Sequence, residues 1–139
     1  MLVAAALMTL VLGAASPPAQ AGTRRHMIRA INHVRAWSHR RHVYFSRRLS
    51  RGATSWARHL MRRNVLAHSS RAVSHGEGEI IEWHTGRRAR VGGTVTEWLD
   101  SPEHRQVMLA NRYDRAGAGR AVGWMGGRRC TIWVVRFAQ

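Results

Sequence analysis

The sequence predicts an α+β layer fold, and three observations carry that prediction. Apolar residues recur at 3.6-residue spacing through two stretches of the first half. Two short segments with helix-start chemistry follow them. The last quarter holds two strand-like runs on either side of a glycine-containing turn.

Residues 1–21 contain no charged side chain. The apolar run from Leu2 to Ala15 has the length of a signal peptide and falls short of the ~20 residues a membrane-spanning helix needs. Ser16-Pro17-Pro18 breaks the run, and Ala19-Gln20-Ala21 offers small residues where a signal peptidase reads. The expected layout is a signal peptide at 1–21 and one domain at 22–139, with an uncleaved N-terminal anchor as the alternative. Either route places the chain outside the cytoplasm, secreted or in the cell envelope.

A helix is expected over residues 24–38, where Met27, Ile28, Ala30, Ile31 and Val34 share a stripe and Arg24, Arg25, Arg29 and Arg35 mostly take the rest. Residues 40–44 read as a connector. A second helix is expected over 46–64, with Leu49, Ala53, Trp56, Ala57, Leu60 and Met61 on its inner face. Arginines at 47, 48, 51, 58, 62 and 63 cover its outer face. A solvated helix face and a dedicated binding surface both fit that pattern.

Residues 67–77 are polar and turn-like, 79–83 fit a strand or an irregular buried segment, and 85–93 read as a loop. Thr94-Val95-Thr96-Glu97 has the capping-box pattern and predicts a short helix through Leu99. Ser101-Pro102-Glu103 starts another, with Ser as N-cap and Pro at the first position. Residues 116–124 and 130–138 predict a hairpin around 125–129. Gly117, Gly119 and Gly123 in its first strand point to close packing or bulges.

Composition then narrows the function classes. The 139 residues carry a formal net charge of +16, and all 23 basic residues are arginine. Thirteen arginines precede His75 with no acid among them, and all seven acids lie from Glu77 onward. A 45% hydrophobic content with six tryptophans excludes a disordered basic tail. A single cysteine, Cys130, excludes an internal disulfide framework and a multi-cysteine zinc site. The charge calls for an anionic partner. Export argues against nucleic acid and towards anionic envelope polymers or lipids, whose phosphates and carboxylates suit the planar guanidinium fork.

Four residues are candidates for chemistry: His68, Glu79, Glu97 and His104. Imidazole and carboxylate are ligand types zinc accepts, and they are the groups needed for acid–base work near neutral pH. Their spacings match no local metal motif, and Glu97 also fits a purely capping role with Thr94. His75 and His84 flank the Glu77–Glu82 acidic patch and form a second tier. Cys130, in a strand pattern, reads as a small buried hydrophobe.

These stretches, in their order, resemble the CAP superfamily of SCP-like extracellular proteins (cysteine-rich secretory and pathogenesis-related proteins) in a short bacterial form. Ile31-Asn32-His33-Val34-Arg35 resembles its opening helix with Asn-x-x-Arg. Leu49-Ser50 to Met61 and His68-Ser69-Ser70 resemble the second helix and a His-x-Ser turn. Gly78-Glu79-Ile80-Ile81 resembles Gly-Glu-Asn-Ile, and Trp98-Leu99-Asp100-Ser101-Pro102-Glu103-His104-Arg105 resembles Trp-x-x-Ser-Pro-Gly-His-Arg. Ala116-Gly117-Ala118-Gly119 and the run from Trp133 to Phe137 resemble the closing hairpin. Ile80 stands where the family has Asn, and Glu103 where it has Gly.

The resemblance implies an α-β-α sandwich with a central, mainly antiparallel sheet and a cleft lined by two His and two Glu. By motif His68, Glu79 and His104 carry over, and Glu97 is the nearest candidate for the second glutamate. It also implies a divalent-metal site, zinc or another cation, with His68 and His104 as ligands. The implied function is a secreted, non-enzymatic, monomeric binding module with a small apolar ligand as a further partner class. The competing reading is a metal-dependent, protease-like hydrolase using the same cleft, with a carboxylate as base.

Overall fold

A computed structural model of the chain describes residues 18–86 and 90–139, with side chains from Gly22 onward. Of the signal peptide expected at 1–21, residues 1–17 lie outside the described residues. In chain order the elements are α1 (Pro18–Trp37), β1 (Tyr44–Phe45), α2 (Arg47–Arg63), α3 (Ser70–Ser74) and β2 (Gly78–Thr85). Then come α4 (Val91–Asp100), α5 (Pro102–Met108), β3 (Arg115–Met125) and β4 (Arg128–Ala138).

One four-stranded sheet, ordered β1-β3-β4-β2, forms the middle layer. The β3–β4 and β2–β4 pairs are antiparallel and the two-residue β1 runs parallel to β3, so the sheet is mixed. The period-2 alternation of β4 sorts the core. Trp133, Val135 and Phe137 point to the layer of α1, α4 and α5, where they meet Ile31, Trp98 and Met108. Ile132 and Val134 point the other way, onto Ala53, Ala57 and Leu60 of α2. Helices therefore cover both faces, giving the α-β-α sandwich that the resemblance implies.

Helix α2 has the boundaries its caps dictate. Ser46 Oγ accepts from the Leu49 N–H at 3.3 Å, and Asn64 closes the helix in the left-handed conformation, φ 54°. Its backbone lies directly on β3. A Cβ at Gly117 or Gly119 would collide with the α2 backbone at Leu49–Ser50 and Ala53–Thr54 respectively. These glycines are the close-packing devices that the sequence pointed to, and they set the depth at which α2 sits.

Five local expectations change. Helix α1 begins at Pro18 rather than Arg24, and within 67–77 Ser69 caps the short α3, its Oγ accepting from the Ala72 N–H. Residues 44–45 pair as β1 rather than serving only as connector. The helix expected from Thr94 already starts at Val91, because Val91, Val95 and Trp98 continue one buried stripe at i, i+4 and i+7. Thr94 is thus inside the helix, its hydroxyl donating to the Arg90 carbonyl, and no capping box forms. The hairpin turn tightens to Gly126-Gly127, both at positive φ, as a two-residue connection requires.

Arg35 is a further correction, and the largest. Read as part of the polar face of the first helix, it is fully buried. It lies four residues after Ile31, on the same stripe, and its guanidinium donates to three carbonyls: Arg41 at 2.8 Å, Met108 at 2.6 Å and Ala110 at 3.2 Å. Burial, and then the nearby Arg40 and Arg41, push its pKa below the usual arginine value. Asn32 works beside it, donating to the Val43 carbonyl and accepting from the Val43 N–H, both at 2.9 Å. The Asn-x-x-Arg pair is therefore a staple tying α1 to the chain entering β1 and to the end of α5.

Candidate functional site

Gly78 brings β2 in close against Tyr113, whose ring leaves no room for a side chain there. The next residue, Glu79, points to the α2 face, opposite Arg136 in the β2–β4 register. Its carboxylate is almost completely enclosed and has three partners. Oε1 accepts from the Ser69 N–H at 2.8 Å and lies 3.1 Å from His68 Nδ1, while Oε2 accepts from Arg136 Nε at 3.0 Å. Arg136 also reaches Glu77 through Nη1 at 3.9 Å, and Glu77 accepts from Arg48 Nη1 at 3.0 Å. A chain of alternating charge, Arg48–Glu77–Arg136–Glu79, thus runs from α2 through β4 and ends on the His68 imidazole of the α2–α3 turn. His68 is its solvent end, with 57% of its side chain exposed.

Gly52 belongs to this arrangement. A Cβ there would lie 2.8 Å from Arg136 Nη1, so the glycine leaves the space that the guanidinium fills. A cavity of about 460 Å³ opens above, between α2, α3 and β4. Arg48, Arg51, Arg71 and Arg136 line it with Trp56 and Ser69, and its one carboxylate, Glu77, is already engaged by two of those arginines.

Among the described residues no three of the four candidates from the sequence gather as one group. His68 and Glu79 are in contact. Glu97, on α4, instead faces His84, with Oε2 3.5 Å from Nε2, and Thr94 Oγ1 lies 3.0 Å from the same nitrogen. His84 is five positions along β2 from Glu79, so the two side chains leave opposite faces of the sheet. His104 sits half-buried on α5 with Nδ1 enclosed and without a hydrogen-bond partner. Ile80, in the place of the family's Asn, is packed in the core of the α1 layer.

A divalent cation does not fit this set. Among the described residues no three His, Cys, Asp or Glu side chains gather as ligands. Both oxygens of Glu79 are taken, one by a guanidinium. A cation within ~4 Å of that group would meet repulsion of about 4 kcal/mol per unit charge at an effective dielectric of about 20.

Arg136, Glu77 and the Ser69 N–H escaped the sequence reading. A signal for Arg136 was present: a single arginine inside the apolar run Ile132-Trp133-Val134-Val135-Arg136-Phe137, on a strand whose neighbours are all buried. A charge in such a run needs a buried partner, and the register supplies Glu79.

A sheet covered by helices on both faces, with Gly-Glu opening an edge strand and a His turn folded onto that Glu, defines an SCP-type domain. The profile of the CAP family, the cysteine-rich secretory protein family, matches residues 28–137, and the chain belongs to that family. No curated protein sequence matches it. Its fold is similar to an outer surface protein of Borrelia burgdorferi (TM-score 0.61, 18% identity, 81% of this chain and 89% of that one). It is also similar to an SCP-domain extracellular protein of Bacillus anthracis (TM-score 0.68, 14% identity), covering 91% of this chain and 45% of that one. The protein MpPR-1i gives a TM-score of 0.64 at 16% identity, over 88% of this chain and 90% of the other. Among the described residues no helix is long and apolar enough to cross a membrane.

Proposed function

We propose that the chain is a non-enzymatic binding module of the cell exterior or envelope whose partner is anionic. The observation that carries this reading is the cavity beside Glu79, where four arginines converge and the lining carboxylate is already neutralised. Such a site repels cations and attracts oxyanions, which guanidinium binds bidentately. The extracellular character of the family and of the two bacterial neighbours supports the location, as does the apolar leader.

The experiment is equilibrium binding of the purified protein to anionic and zwitterionic vesicles and to a soluble polyanion, at about 50 and 200 mM salt, where phosphate-type contacts weaken steeply. Binding to anionic probes that falls with salt is expected. Absence of binding, or binding indifferent to salt, refutes the reading.

A further inference from the structure

Beyond the Glu79 cavity the outer surface of α2 carries a regular pattern. Arg48, Arg51, Ser55, Arg58 and Arg62 recur at i, i+3, i+7, i+10 and i+14, which keeps them on one helical face. At 1.5 Å per residue the stripe is about 21 Å long.

Three depressions follow it in series. The Glu79 cavity takes Arg48, Arg51 and Ser55. The second depression is lined by Arg51, Ser55, Arg58 and Arg62, with Thr54 below and Arg24 of α1 at its side. The third shares Arg58 and Arg62 and adds Arg120 of β3. The lining of the second and third contains no carboxylate. Among the described residues Arg51, Arg58 and Arg62 have no ion-pair partner. Burial, and then the charge of Arg58, lower the pKa of Arg24, and burial lowers that of Arg120. At Arg51, Arg58 and Arg62, among the described residues, positive charge is thus crowded into concave surface without an ion-pair partner.

We propose that this stripe is a binding track for a linear phosphate-bearing polymer, with successive phosphates taken by Arg51, Arg58 and Arg62. The proposal rests on the reading of the protein as an anion-binding module and names the ligand class.

Phosphate fits because the guanidinium groups reach the track from three elements, α1, α2 and β3, and so meet a tetrahedral group from several sides; a planar carboxylate offers two oxygens in one plane. A polymer fits because the depressions share residues and run in line. The track is concave, and the exposed aromatics Trp37, Tyr44 and Trp124 are not part of its lining, which disfavours a membrane plane. Trp56, the aromatic side chain of the lining, is stacked on His59 and donates to the Ala67 carbonyl at 3.0 Å, so it is not a vacant platform for bases.

The test is calorimetric titration of the purified protein with orthophosphate, tripolyphosphate and long-chain inorganic polyphosphate. Arg58→Gln/Arg62→Gln is compared with Arg40→Gln/Arg105→Gln, a pair off the track; each lowers the net charge from +16 by two, to +14. Affinity should rise with chain length. The track pair should weaken polyphosphate binding roughly tenfold, as loss of two exposed charge contacts implies. The salt slope should also become shallower by about 1.4, at about 0.7 per phosphate of a flexible strand. The control pair should change neither. Equal effects of the two pairs overturn the track, as does affinity independent of chain length. Tighter binding of single-stranded DNA of equal charge overturns the ligand class, and so does binding to anionic vesicles in place of the polymer. If no anionic probe binds, the module reading itself fails; if probes bind but ignore the track pair, only the track fails.

Discussion

Replacing Glu79 by Gln probes the centre of the charge chain. Its carboxylate is 3% exposed and accepts from the Ser69 N–H and Arg136 Nε, with His68 Nδ1 3.1 Å away. An amide keeps one acceptor and turns a donor towards one of those donors. Removing one member of a buried pair costs about 3–5 kcal/mol, since the other charge is left enclosed. Here the charge left enclosed is Arg136, 8% exposed, whose remaining carboxylate is Glu77 at 3.9 Å. At about 4 °C per kcal/mol for a domain of this size, Glu79→Gln should lower Tm by roughly 12 °C or more. Arg136→Met should cost about as much, because it leaves Glu79 and Glu77 together without their shared cation. The double variant should cost less than the sum of the singles by about 1.5–3 kcal/mol, as residues in one ion-pair network do. Urea unfolding with linear extrapolation reads all four corners of this cycle. A coupling below about 0.5 kcal/mol would show that the two groups act independently and would refute the network.

Three further outcomes follow from the packing. Ala is favoured over Gly by about 1 kcal/mol inside a helix, yet Gly52→Ala should give no gain in the parent protein, because its Cβ would displace Arg136; in an Arg136→Met background the gain should appear in urea unfolding. Gly119→Ala should destabilise by about 3 kcal/mol or more through collision with the α2 backbone, whereas Gly123→Ala, which meets only the flexible Met61 side chain, should cost under about 1.5 kcal/mol; thermal melts of the two separate these cases. Arg35→Met should lower stability by about 3 kcal/mol, since three carbonyls lose a charged donor, and Arg35→Lys should recover only part of it by the same measurement.

The fold was legible wherever local chemistry and packing agree. Ser46 and Asn64 bound α2 because a capping hydroxyl and a left-handed Asn act within one turn of themselves. The hairpin and its close-packed glycines were legible for the same reason: a strand with no room for Cβ has to carry glycine. Arg35 was misread because its spacing and its charge point in opposite directions. Spacing put it on the buried stripe with Ile31, and the carbonyls that make burial tolerable come from residues 41, 108 and 110, which no local pattern connects to it. The start of α4 was misread in the converse way: Gly92-Gly93 reads as loop, while the period of Val91, Val95 and Trp98 extends the helix through it.

The candidate site was legible in its first contact and not in its sign. His68 and Glu79 do meet, as the motif order implies. What makes the surroundings cationic is register, which sets Arg136 across from Glu79, and the uneven placing of charge along the chain. The half before Glu77 contributes thirteen arginines and no acid, so α2 reaches the sheet with nothing of its own to neutralise it. The first two acids after that point, Glu77 and Glu79, are consumed by Arg48 and Arg136. A carboxylate held in this way has little capacity left for a metal, whereas among the described residues Arg51, Arg58 and Arg62 further along α2 have no ion-pair partner. The same asymmetry that removes the basis for a cation centre at Glu79 therefore supplies the proposed anion track beside it, and charge reversal at Arg58 and Arg62 should leave the fold intact while weakening polyphosphate binding by more than the roughly tenfold expected of the Gln pair, as read by the same calorimetric titration.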